Sequence, residues 1–239
     1  MLIPKTKKIQ VEGERGDCSS NVNRMDSTGA QLDLVGLQRV SKRKHFKANE
    51  VIYYEGEDAD RIYVIHDGLV KLLSYLKNGK GRIVRLYAKQ GWLGLEGLVG
   101  QTYKHTAIAI GNSDMVSIPR HSLRLLEQNN PRQYCYILQK GYGYLDEADK
   151  WISEFSTGEI KPRVARLLAF LSQLEYGKSA KVVDLLTVHE MADMLGVTPE
   201  SVSRILAQFK RDDILHKVEN CADKGYAMNW PKLQYEARQ

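Results

Sequence analysis

One segment near the C-terminus, TVHEMADMLGVTPESVSRILAQFKRD, constrains the fold of this 239-residue chain most strongly. Thr187 and Glu190 have the spacing of a capping box, which begins a short helix. Gly196 supplies the left-handed conformation of a tight turn, after which Thr198 and Pro199 can cap and begin a second helix. Two short helices joined in this way predict a helix-turn-helix. An ordinary helical hairpin within a core is the alternative.

The second of these helices has a polar face near its N-terminal end when Val202 and Ile205 face inward. In a helix-turn-helix this end enters the major groove of DNA, where arginine reads guanine and glutamate reads cytosine. Basic residues further along are placed for backbone phosphates, although a solvated helix end explains them equally well. The candidate DNA-binding residues are Thr198, Pro199, Glu200, Ser203, Arg204, Lys210 and Arg211. The next segment, HKVENCADKGYAMNW, alternates around a turn and predicts a two-stranded wing.

Residues 45–120 have a different pattern, in which short runs of Val, Ile, Tyr and Leu are separated by glycine turns. Examples are EVIYYEG, RIYVIHDG and RIVRLYAKQG. The β-branched and aromatic content and the close turns predict a small antiparallel barrel or sandwich. Asn78-Gly79 between two such runs is a hairpin signal.

A long helix is predicted to begin at Pro131, with apolar or small residues at alternating steps of four and three. This spacing is the a/d seam of a two-stranded coiled coil and predicts a homodimer. The alternative is a helix packed against its own barrel. The candidate dimer-interface residues are Tyr134, Leu138, Gly141, Leu145, Ala148, Ile152 and Phe155.

Charge and composition narrow the classes of protein. The net charge of +6 hints at a polyanionic partner, but residues 157–239 hold twelve Lys/Arg against eleven Asp/Glu, so a DNA-binding function depends on individual residues. No apolar run could span a membrane, no secretory signal is present, and three separated cysteines make no disulfide framework. We therefore expect a cytoplasmic protein. No nucleophile–base set, phosphate-binding loop or metal-ligand cluster is found, so we expect no enzyme activity and no metal site.

Together these residues resemble the CRP/FNR superfamily of bacterial transcription regulators over about residues 40–230. The motifs that carry the resemblance are VIYYEGEDADRIYVIHDGLVKLL, GWLGLEGLVGQTYKHTAIA and ESVSRIL. The resemblance implies an α+β fold with a β-roll of the cyclic-nucleotide-binding type (a jelly roll, or double-stranded β-helix), a dimerisation helix and a winged helix-turn-helix. The domains are then a flexible arm at 1–30, the β-roll at 31–130, the dimerisation helix at 131–156 and the DNA-binding domain at 157–239.

The resemblance also implies a dimer that reads palindromic double-stranded DNA, contacts RNA polymerase and responds to a small effector in the roll. The effector pocket would contain Gly94, Glu96, His105 and Thr106. Cyclic-nucleotide-binding members carry a Gly-Glu pair and an Arg-Ser or Arg-Thr pair there. Here Leu95 follows Gly94, and a histidine replaces the arginine, whose fork and permanent charge match phosphate. This departure argues against cyclic AMP, although Lys104 and Thr106 could still hold an anion.

The arrangement Glu200-x-x-Ser203-Arg204 resembles the FNR branch and implies TTGAT-type half-sites. That branch holds an iron–sulfur cluster through cysteines grouped in its N-terminal arm, where this chain has only Cys18, the cysteine most exposed to oxidation. Cys135 and Cys221 lie elsewhere, so a full cluster site is absent. The sequence therefore does not identify a cofactor. His66 or His105 could ligate haem in a haem- or redox-sensing regulator. A ligand-binding module that regulates a partner enzyme is the other alternative.

Overall fold

The computed structural model describes residues 41–174, 183–184, 186–218 and 225–239. The first part is a sandwich of two four-stranded antiparallel sheets, ordered β1-β8-β3-β6 and β2-β7-β4-β5. The strands are β1 Lys42–Phe46, β2 Val51–Tyr53, β3 Arg61–Asp67, β4 Val70–Tyr75, β5 Gly81–Tyr87, β6 Trp92–Leu93, β7 Thr106–Ala109 and β8 Ser113–Pro119. The predicted jelly roll is confirmed.

Alternating side chains fill the interior of this roll. In β3, Ile62, Tyr63 and Ile65 are buried, and the other residues are partly or fully exposed. This pattern is expected for a strand with one face on a core. The hairpin between β4 and β5 turns at Asn78-Gly79, as the sequence predicts, and Gly79 has φ of 78°. A short 3-10 turn, Leu95–Val99, joins β6 to β7.

Two helices follow the roll, α1 Arg120–Asn129 and α2 Pro131–Phe155. Asn130 caps α2 because its side chain accepts a hydrogen bond from the Gln133 N–H, and Pro131 occupies the first helical position. The helix ends before Ser156, and Gly158 follows with φ of 84°. The predicted long helix therefore forms as a single element of 25 residues.

The C-terminal part contains the predicted helix-turn-helix. Its elements are α3 Ile160–Gln173, β9 Val183–Asp184, α4 Val188–Leu195, α5 Pro199–Arg211, β10 Leu215–Lys217, β11 Gly225–Met228 and α6 Trp230–Arg238. Among the described residues the wing has three strands in the order β10-β11-β9, one more than the two-stranded wing predicted from the sequence. The extra strand, β9, has only two residues, too few for a periodic signal.

Two apolar cores are present among the described residues. The buried residues of one lie in the roll, around Tyr53, Tyr63 and Met115, and Tyr144 of α2 packs against them. The other is built on the helix-turn-helix residues, and it also contains three roll residues, Leu69, Ile83 and Leu86. The roll and the C-terminal helices therefore bury apolar surface against each other.

Some sequence predictions fall outside the described residues. They are the flexible arm at 1–30 and the cysteines Cys18 and Cys221.

Candidate nucleic-acid interface and roll cavity

The two helices of the helix-turn-helix begin and end at the residues that the sequence predicts. The Thr187 hydroxyl accepts a hydrogen bond from the Glu190 N–H, and the Glu190 carboxylate accepts one from the Thr187 N–H at 3.0 Å. Gly196 ends α4 with φ of 64°, which only glycine adopts without strain. The Thr198 side chain then accepts from the Ser201 N–H, and Pro199 is the first residue of α5. The capping box and both helix boundaries are thus present.

Helix α5 divides into a buried and an exposed face. Val202, Ile205, Leu206 and Phe209 are buried in the core that it shares with α3 and α4. The residues Thr198, Glu200, Ser203, Arg204, Lys210 and Arg211 are exposed, and Pro199 is half-buried. The structure therefore brings the predicted reading residues to one open surface at the N-terminal end of α5.

Lys210, a basic residue at the C-terminal end of α5, contacts the wing. The Lys210 Nζ donates to the Tyr226 hydroxyl at 3.0 Å and lies 4.9 Å from the centre of that ring. Tyr226 belongs to β11, so Lys210 is held where α5 meets the wing.

Helix α2 carries an exposed apolar stripe on its outer side. Leu138, Leu145 and Ile152 are 47%, 61% and 59% exposed and recur at every seventh residue. Tyr134, Gly141 and Ala148, which lie four residues before each of these, are partly exposed. Phe155 differs, because it is 2% exposed and packs against Trp151 and Phe170 at ring distances of 4.9 and 5.7 Å. Phe155 therefore has almost no surface for a partner, and the exposed stripe ends at Ile152.

A partly open cavity of about 190 Å³ lies between the roll and α2 and brings together three of the four predicted pocket residues, Gly94, Glu96 and His105. Gly141 and Leu145 of α2 also line it. Gly94 has φ of 75°, and a Cβ there would lie 2.8 Å from the carbonyl oxygen of Arg61, so no larger residue fits. Thr106 is buried beside the cavity rather than in its lining, and its hydroxyl accepts a hydrogen bond from the Glu55 N–H.

Two tyrosines and one arginine contact one another in the lining of this cavity. Tyr144 projects from α2, and its hydroxyl accepts a hydrogen bond from the backbone N–H of Trp92 at 2.7 Å. The Arg85 guanidinium donates to the Tyr87 hydroxyl at 2.9 Å and lies within 6 Å of the Tyr87 and Tyr144 ring centres. Sequence reasoning missed Tyr144, because it is not one of the α2 residues assigned to the coiled-coil seam.

The electrostatics of the cavity disfavour a phosphate. Burial lowers the pKa of His105 below its usual value, so the imidazole is neutral at neutral pH and offers a single donor. Burial likewise raises the pKa of Tyr87 to about 12, in spite of the nearby Arg85. Arg85, the one permanent cation among the described lining residues, already binds Tyr87, while Glu96 contributes a negative charge.

An ion pair joins the roll to the helix-turn-helix. The Lys71 Nζ on β4 lies 2.8 Å from the Glu190 Oε1 on α4, and both side chains are largely buried. Burial opposes the ionisation of Glu190, but hydrogen bonds from Lys71 and Thr187 outweigh it and lower the pKa of the carboxyl. Glu190 therefore has two functions, capping α4 and binding the roll. The sequence indicates only the first.

Two arginines gather at the junction of α2, α4 and β5. Buried Arg163 donates to the carbonyl oxygens of Phe155 and Leu195, which are the last residues of α2 and α4. A cation at two helix C-termini is favoured by both helix dipoles. Arg82 on β5 donates to the Ser156 hydroxyl at 3.2 Å, and its guanidinium lies beside Gly196 in the helix-turn-helix.

The other candidate ligand residues stand apart. Among the described residues, no three His, Cys, Asp or Glu side chains converge on a point that could hold a metal ion. His66 is exposed on β3, and Cys135 is a free, partly buried thiol on α2. Within the same part of the chain, no helix is both long and apolar enough to cross a bilayer.

Two domain profiles match this arrangement. Residues 43–130 match the cyclic nucleotide-binding domain, and residues 162–225 match the Crp-like helix-turn-helix domain. Together they cover the roll and the helix-turn-helix.

Curated relatives and solved structures agree with the profiles. The chain is similar to the transcriptional regulator LdrP of Thermus thermophilus, with 27% identity over 72% of this chain and 86% of LdrP. It is also similar to the transcriptional activator protein FnrL of Cereibacter sphaeroides, with 24% identity over 84% of this chain and 83% of FnrL. The structure of FixK2 from Bradyrhizobium japonicum superposes with a TM-score of 0.74 over 82% of this chain and 97% of FixK2, at 24% identity.

Proposed function

Because this chain belongs to the CRP/FNR superfamily of bacterial transcription regulators, we propose that it acts as a homodimer that binds a palindromic operator through α5. The observation that carries the proposal is the exposed face of α5, where Glu200, Ser203 and Arg204 project at the N-terminal end. In a helix-turn-helix this end enters the major groove. Regulation of transcription, rather than catalysis, is the function that follows.

The sequence preference would come from three side chains. The Arg204 guanidinium can bind guanine O6 and N7 as a bidentate pair, Glu200 can accept from cytosine N4, and Ser203 can reach a base edge or a phosphate. Since this arrangement resembles the FNR branch, the proposed half-sites are of the TTGAT type. Lys210 and Arg211 would bind the backbone.

The homodimer would form along the outer side of α2. The stripe of Leu138, Leu145 and Ile152 has the seven-residue repeat of a two-stranded coiled coil and is too apolar to stay in water without cost. A second copy offers the same stripe, so the contact would be symmetric. Two α5 helices would then meet successive major grooves about 34 Å apart.

The domain division proposed from the sequence assigns these functions to separate parts, with the arm at 1–30, sensing in the roll and reading in the domain at 157–239. The regulator would work in the cytoplasm, where it meets DNA and RNA polymerase. The neutral His105 and the engaged Arg85 argue against cyclic AMP as an effector.

A binding experiment tests the proposal. Wild-type protein is used to select a duplex from a pool with randomised half-sites, and a mobility shift at physiological salt then compares that duplex with a scrambled one. We expect a selected palindrome of TTGAT type. Arg204→Ala should weaken binding by about 1–3 kcal/mol and relax the base preference at one position of each half-site.

Lys210→Ala is the matched control, because it removes a cation from the same helix without removing a base contact. It should weaken binding to selected and scrambled duplexes alike and lower the salt dependence. Failure of the wild-type protein to enrich any duplex would refute the proposed function. Unchanged affinity and preference in Arg204→Ala would refute the docking of α5.

A further inference from the structure

The cavity in the roll is smaller than a ligand site of ordinary size. Its volume of about 190 Å³ falls below the roughly 300 Å³ at which small-molecule pockets begin. The space is reduced from inside the chain, because the ring of Tyr144 projects into it from α2. Tyr144 is therefore a side chain from outside the roll that limits the room for a ligand in it.

The contacts of Tyr144 are those that a bound phenol would make. Its hydroxyl accepts a hydrogen bond from the Trp92 N–H at 2.7 Å, and Trp92 lies on β6 beside the Gly94 turn. Its ring meets the Tyr87 ring edge to face, with centres 4.8 Å apart. The Arg85 guanidinium lies 5.8 Å from the ring centre, within reach of a cation–π contact.

These contacts connect the roll to the reading helix through α2. Two turns beyond Tyr144, Trp151 packs edge to face on Phe170 of α3, with ring centres 5.6 Å apart. Helix α3 packs in turn against α4 and α5 in the shared core. A ring that fixes α2 on the roll therefore also fixes the position of the helix-turn-helix relative to the roll.

We propose that Tyr144 is an internal occupant of the roll cavity, which takes the place of a diffusible effector and holds α2 in the position that lets α5 bind DNA. Tyr144 is then a positioning residue, and operator binding needs no small molecule. The inference rests on the proposed function, since it concerns the operator that α5 selects.

A cavity made by truncation provides the test. Tyr144→Ala removes a ring and a hydroxyl whose shape is that of p-cresol, so p-cresol can refill the space and accept from the Trp92 N–H. We expect wild-type protein, purified without ligand, to bind its selected operator at full affinity. Tyr144→Ala should bind at least tenfold more weakly, and millimolar p-cresol should restore most of that loss.

Three controls make the result specific. Toluene, which fills the same space without a hydroxyl, should restore less than p-cresol because it leaves the Trp92 N–H unpaired. Tyr75→Ala, which truncates an exposed tyrosine at the end of β4, should bind like the wild type and ignore p-cresol. Tyr144→Phe keeps the ring and should lose only a few-fold in affinity, which keeps the test open if Tyr144→Ala fails to fold.

The outcomes separate this inference from the proposed function. If the wild type selects no operator, the proposed function fails. If the wild type binds its operator only after a small molecule is added, or if Tyr144→Ala and Tyr144→Phe both bind as tightly as the wild type, the inference is overturned and the proposed function stands. A loss in Tyr144→Ala that p-cresol does not reverse also overturns it.

Discussion

The two sides of α2 both carry large apolar side chains but differ in what covers them. On the inner side, Tyr144 and Trp151 pack against the roll and α3 of the same chain. On the outer side, Leu138, Leu145 and Ile152 are about half exposed or more. The comparison teaches that one helix can serve two interfaces whose residues adjoin, because exposed Leu145 also lines the roll cavity beside Tyr144. Both sets keep a seven-residue spacing, since Tyr144 and Trp151 are also seven residues apart.

The largest expected effect comes from a charge on the outer side. Ile152→Asp would place two carboxylates against each other across the proposed seam. Burying two negative charges without a cation is costly. Ile152 does not line the roll cavity, so the roll should be unaffected. We expect sedimentation to show a monomer, with operator affinity falling at least about 100-fold, or about 3 kcal/mol.

Gln139→Asp is the matched control, since it adds the same charge to an exposed position of α2 off the stripe. It should stay dimeric. A tight dimer of the Ile152→Asp variant would contradict the assignment of the outer side.

A truncation on the inner side should have the opposite signature. Trp151→Ala removes a ring that contacts both Phe155 and Phe170. The expected loss of unfolding free energy is about 3 kcal/mol, measured by urea denaturation. The dimer should persist, because Trp151 lies off the exposed stripe. Loss of the dimer without loss of stability would reverse the roles of the two sides.

A second contact between the roll and the C-terminal helices is the ion pair of Lys71 and Glu190. Lys71→Met leaves the Glu190 carboxylate without its cation and should cost about 1–3 kcal/mol at pH 7. Because the folded pKa of Glu190 is lowered, its stabilisation is present above the unfolded value of about 4.3 and is lost as the pH falls through the folded pKa.

The stability difference between wild type and Lys71→Met should therefore shrink below about pH 4, in denaturation curves measured at several pH values. Lys77→Met, on the exposed hairpin of the same sheet, supplies the control and should show no such dependence. A difference that is constant with pH would mean that packing, not charge, explains the loss.

The smallest effect is expected from a glycine between the two sides. A Cβ at Gly143 would meet nothing within 4 Å, so Gly143→Ala should stabilise α2 by about 0.5–1 kcal/mol through helix propensity. Thermal denaturation measures the gain. A loss of stability that depends on protein concentration would instead place Gly143 against the partner.

The helix-turn-helix could be predicted from the sequence because its signals are local. Thr187 and Glu190 are three residues apart, and Gly196, Thr198 and Pro199 are nearly adjacent, so backbone preferences alone fix the turn. The strands of the roll could also be predicted, since alternation and glycine turns are short-range patterns. The confirmed fold is made largely of such elements.

The contacts that join these elements could not be predicted. Lys71 and Glu190 are 119 residues apart, and neither position carries a mark of its partner. Tyr144 resembles any other helix tyrosine until the roll is placed against α2. Phe155 keeps the seven-residue spacing yet turns inward, because α3 covers the last turn of α2 with Phe170. Periodicity specifies a helical face, but not which neighbour covers it.

The core that the roll shares with the C-terminal helices also bears on how the chain folds during its synthesis. The ribosome finishes the roll before it makes α3, α4 and α5, so Leu69, Ile83 and Leu86 remain uncovered in the nascent chain. Leu195, the last residue of the helix α4 that packs against β5, is made about 110 residues after Leu86. At about 5–20 residues per second, this apolar patch stays open for several seconds, long enough for a chaperone to bind it.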